Sequence, residues 1–523
     1  MQQPDLPAGL ELTELYRAMH DEEYLGQERG RRQTANRILD LIAGHVGGLG
    51  TSSDVRFLDV GCGHALLLDE AAKRGYETTG LELSSGAAQH GRDVLGLDVR
   101  EQTVEDLAAE GCEPFDVIVL ADVIEHLDDP VGILDQITSL LAPGGILCVI
   151  TPDPSSATAR LARGRWWGYL PAHTYLLPRR TLRELMSSRG LVVSTDIPLV
   201  RDFTLGYWMS GFAERSGVIA KVVERAARSR RADTMLSLSL GDERVVLAHK
   251  VEILRTDEPL ARPRGGEQNV LVVLPAYNAA KTIGQVAEEL PAGAADGVLL
   301  VDDCSPDDTT EVALEHGFDV LRHPVNRGYG ANQKSCYVQA AREDFDAVVM
   351  VHADNQYDPA LVPQIVAPIL EGRADVVIGS RLLEDRAIQG GMPRWKWVGN
   401  RFLTSVENLA FRRSYSEYHT GYRAFSVEFL RSIAFLRNSD EFVFDQEIFA
   451  QAVARGARVE EVAIPTRYFL EASSVSFPDS VEYGLRTLYV LARFRMAEHG
   501  KRWAPLGAPA VRLDADPEPV LER

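Results

Sequence analysis

Short aliphatic and β-branched runs, separated by helical patterning, occur in two successive sets along this chain. No other feature constrains its fold as much. The first set is RFLDVG (56–61), TTGLEL (78–83), DVIVLA (116–121), ILCVI (146–150), LVVSTDI (191–197) and RVVLAHKVEI (244–253). The second is NVLVVLP (269–275), GVLLVDD (297–303), AVVMVHAD (347–354) and ADVVIG (374–379). Continuous apolar strands alternating with helices predict α/β domains whose mostly parallel sheets are covered on both faces. Residues 256–267, rich in Pro, Gly and charge, read as a linker between a domain at 1–255 and one at 268–497, with a tail at 498–523. A length of 523 residues accommodates two such domains.

Charge narrows the partners. Lys and Arg number 55 against 76 Asp and Glu, a net −21, which argues against broad electrostatic binding of nucleic acid. An anionic ligand must be met locally by a few placed cations. The five cysteines form no CxxC pair, so neither a disulfide frame nor a zinc site is expected. The N-terminal stretch lacks a basic segment followed by an apolar core, and the apolar runs fall short of the roughly 20 residues that span a bilayer. The expectation is a cytoplasmic protein, at most peripheral to a membrane.

In open α/β sheets ligands sit at the carboxyl ends of the strands. After the first strand comes Asp59-Val60-Gly61-Cys62-Gly63, whose glycines let the backbone turn sharply and approach a ligand. Glu82 ends the second strand, where a carboxylate can take a ribose diol. With no third glycine and no Walker lysine, a nucleoside without phosphates suits the loop better than a dinucleotide. FLDVGCGHALLL, GLELS, FDVIVLADVIEHLDDP and LLAPGGILCVITP, in this order, resemble class I S-adenosylmethionine-dependent methyltransferases over about residues 30–255. The resemblance implies that Asp59, Gly61 and Gly63 face the methionine end of S-adenosylmethionine, Glu82 its ribose and Asp106 its adenine, with Asp122 also at the donor site. His126 reads as a helix-entry residue. His173, in GRWWGYLPAHTYLLP, is either a packing residue or a general base for a hydroxyl acceptor.

In the second set, strands end in Pro275-Ala276-Tyr277-Asn278, in Asp302-Asp303 and in His352-Ala353-Asp354-Asn355-Gln356. Strand-end carboxylates can hold a nucleobase and ribose, and a carboxylate beside an amide oxygen suits Mg²⁺ or Mn²⁺ bridging a diphosphate. LPAYN, VDDCSPDDTT, NRGYGAN, HADNQYDP, VIGSR, HTGYRAF and IPTRYFLEASSVSF resemble the GT-A fold of family-2 inverting glycosyltransferases over about 268–497, in the branch of dolichyl- and polyprenyl-phosphate glycosyltransferases. The resemblance implies a nucleotide sugar held by Pro275, Tyr277, Asn278, Asp302, Asp303 and Asp354. It implies a metal at Asp354, Gln356 and His352, and phosphates met by Arg381, Arg423 and Arg467. The chain departs from the family pattern at His352, where Asp is usual, and at Ala279, where an acidic residue is common.

Together these readings describe a bifunctional enzyme joining methyl transfer to metal-dependent glycosyl transfer. The acceptor is a polyprenyl phosphate, or a glycan hydroxyl with Asp445 in FVFDQEIF as base. Two alternatives stand beside it: a first domain that only binds the methyl donor, and a scaffold with degenerate transferase sites. Arg394–Arg413 reads either as an interfacial amphipathic helix or as a lid over the acceptor cleft.

Overall fold

The computed structural model describes residues 27–46, 54–170, 172–213, 233–261, 268–343, 345–384, 388, 392–465, 477–500 and 503–507. The chain divides into two units, Met1–Lys250 and Val251–Arg523.

In the first unit, α1 (Glu28–Val46) buries Ile38, Leu39 and Ile42, the helical spacing of an apolar face. The strands β1 (Arg56–Val60), β2 (Glu77–Leu81), β3 (Asp98–Arg100), β4 (Phe115–Ala121) and β5 (Leu141–Pro152) run parallel in the order β3-β2-β1-β4-β5. The sheet then becomes antiparallel: β9 (Glu243–Lys250) inserts between β5 and β6 (Leu191–Pro198). β7 (Arg201–Thr204) and β8 (Met235–Leu238) form a separate ribbon. Leu58, Val60, Ile118 and Leu120 face one core, and Phe57, Val117 and Val119 the other, so β1 and β4 are apolar on both sides.

The second unit holds eight strands: β10 (Ile253–Leu254), β11 (Val270–Ala276), β12 (Gly297–Asp302), β13 (Asp319–Arg322), β14 (Ala347–Met350), β15 (Val376–Ser380), β16 (Arg423–Ser426) and β17 (Val459–Ala463). Their order is β10-β13-β12-β11-β14-β16-β15-β17. β13, β12, β11 and β14 are mutually parallel, whereas β16 is antiparallel to both neighbours. Both sheets are therefore mixed, each keeping a parallel centre.

Two expected boundaries move. The run 244–253 is not one strand: β9 stops at Lys250, and Ile253–Leu254 pairs with Leu321 and Val320 in the second sheet. Leu260, expected in a linker, donates its N–H to the Gly317 carbonyl at 2.7 Å and packs with Ala261 on the second core. The start of the expected tail also packs. Trp503 is buried beside Phe494 and Phe449, and Gln451 Nε2 donates to the Pro505 carbonyl at 2.9 Å. Apolar side chains at 503 and 506 outweigh the Pro- and Gly-rich composition there. Among the described residues, no helix is long and apolar enough to cross a membrane.

Candidate functional sites

The loop after β1 is built around glycine. Gly61 has φ +67°, and a Cβ there would stand 2.6 Å from Val123 Cγ2, so this loop and the one after β4 touch. Glu82 stitches the edge together, its carboxylate accepting from Gly63 N at 2.8 Å and Ser84 N at 2.7 Å. Asp59 is 2 % exposed, and burial, then Glu82, push its carboxyl up to about 8. Two close carboxyl groups with this unmet charge fit a cationic ligand, and S-adenosylmethionine carries both an ammonium and a sulfonium. Asp106 instead closes a capping box: its Oδ2 accepts from Thr103 N at 3.0 Å while Thr103 Oγ1 accepts from Asp106 N.

Asp122, expected to contact the methyl donor, is claimed by Arg201, whose Nη2 reaches both carboxylate oxygens at 2.9 and 2.7 Å. The same guanidinium donates from Nε to Glu243 at 2.6 Å. Burial alone would raise Asp122, but Arg201 holds it below the usual carboxylate range. Glu243, itself buried, stays raised at about 7. Beside them the turn Ile124–His126 places Glu125, which is 1 % exposed and driven up to about 8 by burial and then by Asp122. His126 and His173 meet edge to face at 4.7 Å, their Nδ1 atoms bonded to the carbonyls of Ala172 and Gly168. Burial lowers both imidazoles. Arg201 and Glu243 carried no sequence signal, because β7 and β9 bring them to Asp122 from far along the chain, whereas Glu125 lies only three residues from it.

In the second unit the paired aspartates are inward-facing. Asp302, fully buried, accepts from Ser305 N at 2.9 Å and Thr310 Oγ1 at 2.7 Å. Asp303 accepts from His323 Nδ1, Arg327 N and Gly328 N at 2.7, 2.9 and 2.8 Å, fixing the NRGYG loop. Pro275 ends β11. Tyr277 beyond it is half exposed, and Asn278 takes φ +55° while its N–H donates to Ser305 Oγ. These placements set the residues expected around a nucleotide at one sheet edge.

His352 packs its ring against the backbone of Gly421, where a Cβ would lie 2.1 Å from Nε2. That Nε2 meets the Tyr329 hydroxyl at 3.1 Å, and the hydroxyl reaches Asp445 Oδ2 at 3.4 Å. Burial lowers the imidazole, with Asp354, Asp445, Arg381 and Arg423 all close enough to act on its charge. Asp354 Oδ1 accepts from Gln356 N at 3.1 Å. Between them Asn355, 1 % exposed at φ +55°, has neither amide atom hydrogen-bonded. A carboxylate with two amide side chains, one of them buried and unsatisfied, is an oxygen donor set that fits Mg²⁺ or Mn²⁺.

Two arginines expected to meet phosphate are spent on the protein. Arg423, 1 % exposed, donates to the carbonyls of Thr420, Asp445 and Tyr418 at 2.9, 2.8 and 2.7 Å. Arg381 pairs with Glu417, which is wholly buried, and donates to the His419 carbonyl at 2.6 Å. The fully buried Arg423 guanidinium could not leave its carbonyl partners without stranding them, and the partly exposed Arg381 is held by the buried Glu417 carboxylate. Arg467 lies outside the described residues. Asp445 sits at the site but accepts from Gln333 Nε2 at 3.1 Å besides Tyr329, and Arg423 Nη1 is 3.6 Å from its Oδ1. Sequence reasoning missed Tyr329, although it lies inside the NRGYG motif.

Comparison with known proteins matches a family model to each unit. A family model described as a methyltransferase domain matches residues 27–195, and one described as glycosyl transferase family 2 matches 271–434. An uncharacterised protein of Methanocaldococcus jannaschii is 31% identical over 225 residues, covering 43% of this chain and 91% of that protein. A low-salt glycan biosynthesis hexosyltransferase of Haloferax volcanii is 33% identical across 40% of this chain and 50% of its own length. A ubiquinone biosynthesis O-methyltransferase of Xylella fastidiosa is 41% identical across 21% of this chain and 47% of its own. The chain thus spans about half the length of these two named relatives. Among solved structures, a glucosyl-3-phosphoglycerate synthase from Mycobacterium tuberculosis matches 44% of this chain and 79% of that one at 21% identity, with a TM-score of 0.37.

Proposed function

The chain belongs to the family 2 glycosyl transferases and carries a methyltransferase domain ahead of that unit, and from this premise we propose what each half of this bifunctional transferase acts on. The first unit takes a methyl group from S-adenosylmethionine, with Asp59, Gly61, Gly63 and Glu82 lining the donor. The second takes a sugar from a nucleotide sugar, with Pro275, Tyr277, Asn278, Asp302 and Asp303 near the nucleoside. Asp354 and Gln356 hold Mg²⁺ or Mn²⁺, which neutralises the leaving diphosphate. His352 stands beside that ion as a further candidate ligand.

The acceptor reading rests on Asp445. A carboxylate whose oxygens already accept from Gln333 and Tyr329, with Arg423 3.6 Å away, has little room left to take a proton from an acceptor hydroxyl. An acceptor that needs no base, a polyprenyl phosphate, suits the site better than a hydroxyl. Among the described residues, Lys396, close enough to Arg381 for their charges to interact, and Arg394 are the cations that would meet its phosphate. Both belong to α2 (Arg394–Phe411), whose exposed face carries Trp395, Val398, Phe402 and Leu409 among Arg394 and Arg401, with Arg412 and Arg413 following its end. The one acid in that helix, Glu407, is fully buried. Such a face suits the anionic surface of a cytoplasmic membrane, where a polyprenyl phosphate resides. A glycan hydroxyl is the second reading, favoured by the position of Asp445 beside His352.

A panel of nucleotide sugars incubated with a polyprenyl phosphate and with a soluble glycan, with and without EDTA, tests the reading by mass spectrometry. Sugar should appear on the lipid phosphate, disappear with EDTA or Asp354→Asn, and persist in Asp445→Asn. Transfer only to the glycan, abolished by Asp445→Asn, would replace the lipid reading with the hydroxyl one.

A further inference from the structure

Glu125, His126 and His173 form the one group of three His, Cys, Asp or Glu side chains, among the described residues, whose ligand atoms lie within 4.8 Å of one another. We propose that these three residues bind a divalent transition-metal ion in the methyltransferase unit, separate from the ion proposed at Asp354.

Three observations carry this inference. First, the cluster is built in advance. The segment bearing His173 is sewn onto the turn bearing Glu125 and His126: Tyr175 N donates to the Glu125 carbonyl at 3.0 Å, and Thr174 Oγ1 donates to the Leu127 carbonyl at 2.9 Å. Each imidazole has its Nδ1 on a backbone carbonyl, at 2.8 Å for His126 and 2.7 Å for His173. That bond fixes ring orientation and tautomer, as the outer hydrogen bond of a metal-ligating histidine does. Second, Glu125 Oε2 accepts from Thr151 Oγ1 at 3.0 Å, whereas its Oε1 is buried with no hydrogen-bond partner. A buried carboxylate oxygen left alone is costly unless something absent from the protein itself meets it. Third, the charges do not balance. Asp122 and Glu243 already share the guanidinium of Arg201, and no ion pair among the described residues reaches Glu125. A divalent cation supplies the missing positive charge.

Two imidazoles and one carboxylate select a first-row ion such as Mn²⁺, Fe²⁺, Co²⁺ or Zn²⁺ over Mg²⁺ or Ca²⁺, which prefer all-oxygen sites. Three protein ligands leave coordination positions open. Val123, two residues before Glu125, packs on Gly61 of the donor loop, so the open positions belong to the same sheet edge as the methyl donor. The ligand class that fits them is a hydroxyl oxygen of the methyl acceptor.

The test uses the full chain, prepared without a polyhistidine tag, stripped with chelator and carrying His352→Ala and Asp354→Ala to silence the second unit. Titration with Co²⁺ should give one equivalent of ligand-field absorption, and Mn²⁺ pulsed EPR should show coupling to two imidazole nitrogens. His126→Ala, His173→Ala and Glu125→Gln should each weaken Co²⁺ binding at least about 100-fold, the upper end of what loss of a supporting residue costs. The background protein reports by itself should a histidine variant fail to fold: absence of nitrogen coupling there overturns the site. Binding unchanged in a folded His126→Ala/His173→Ala double variant overturns it as well.

Discussion

Arg423 Nη1 donates to the backbone carbonyl of Asp445 at 2.8 Å and lies 3.6 Å from the same residue's Oδ1, so one buried guanidinium fixes both the main chain and the side chain of Asp445. The arrangement makes Arg423 a structural anchor of the glycosyltransferase site. Arg423→Ala strands three buried carbonyls and unpairs a carboxylate. It should cost about 3–5 kcal/mol of stability, the range for breaking a buried charge pair. Urea denaturation of the full chain measures this. A variant that melts like the native protein and loses only lipid-phosphate transfer would return Arg423 to the acceptor.

Tyr329 bridges Asp445 and His352 through one hydroxyl. Tyr329→Phe removes the bridge while keeping the ring stacked on Phe442. Glycosyl transfer should fall about tenfold, one lost hydrogen bond to a charged group being worth about 1.5 kcal/mol, with little change in melting temperature. Equal kcat and KM in the variant would show that the bridge does not orient His352.

His352 occupies the place where the family usually has Asp. His352→Asp exchanges a nitrogen donor for an oxygen one, which favours harder cations. The ratio of Mg²⁺- to Mn²⁺-supported activity should rise by about tenfold, and an unchanged ratio would remove His352 from the metal's surroundings.

Glu82 accepts two backbone N–H groups at the donor loop. Glu82→Ala should weaken S-adenosylmethionine binding by about 1.5–3 kcal/mol in calorimetry, the range for a hydrogen bond to a charged group. Nucleotide-sugar affinity should stay as it was, since that site belongs to the other unit.

Asp59 gives the first unit a pH dependence. Unfolded, its carboxyl titrates near 4; folded, burial and Glu82 raise it to about 8. The folded state holds the proton more tightly, so this contribution is complete below pH 4 and is lost as pH rises through about 8. Calorimetric scans of the ligand-free chain should show stability of the first unit declining across that window. Asp59→Asn, neutral throughout, should flatten the decline, and an identical slope in the variant would assign it to other groups.

Much of the architecture was legible in the residues themselves. Strands buried on both faces must be continuously apolar, so β1, β4, β11 and β12 stand out in one dimension. Each then ends in the glycine or carboxylate that a strand-end site requires. Glu82 was visible because it closes the strand next after the Gly63 loop, 19 residues on, and Asp354 because Gln356 lies two residues from it. What the sequence could not express is which long-range partner claims a charge. Asp122 and Arg381 look like ligands until β7 supplies Arg201 and the loop after α2 supplies Glu417. His126 reads as a helix-entry residue and His173 as a packing residue or a general base until hydrogen bonds to Glu125 and Ala172 fold two segments together. Such ion pairs depend on positions 36 or 79 residues apart meeting at hydrogen-bond distance. No local pattern encodes that meeting; only the packed sheets decide it.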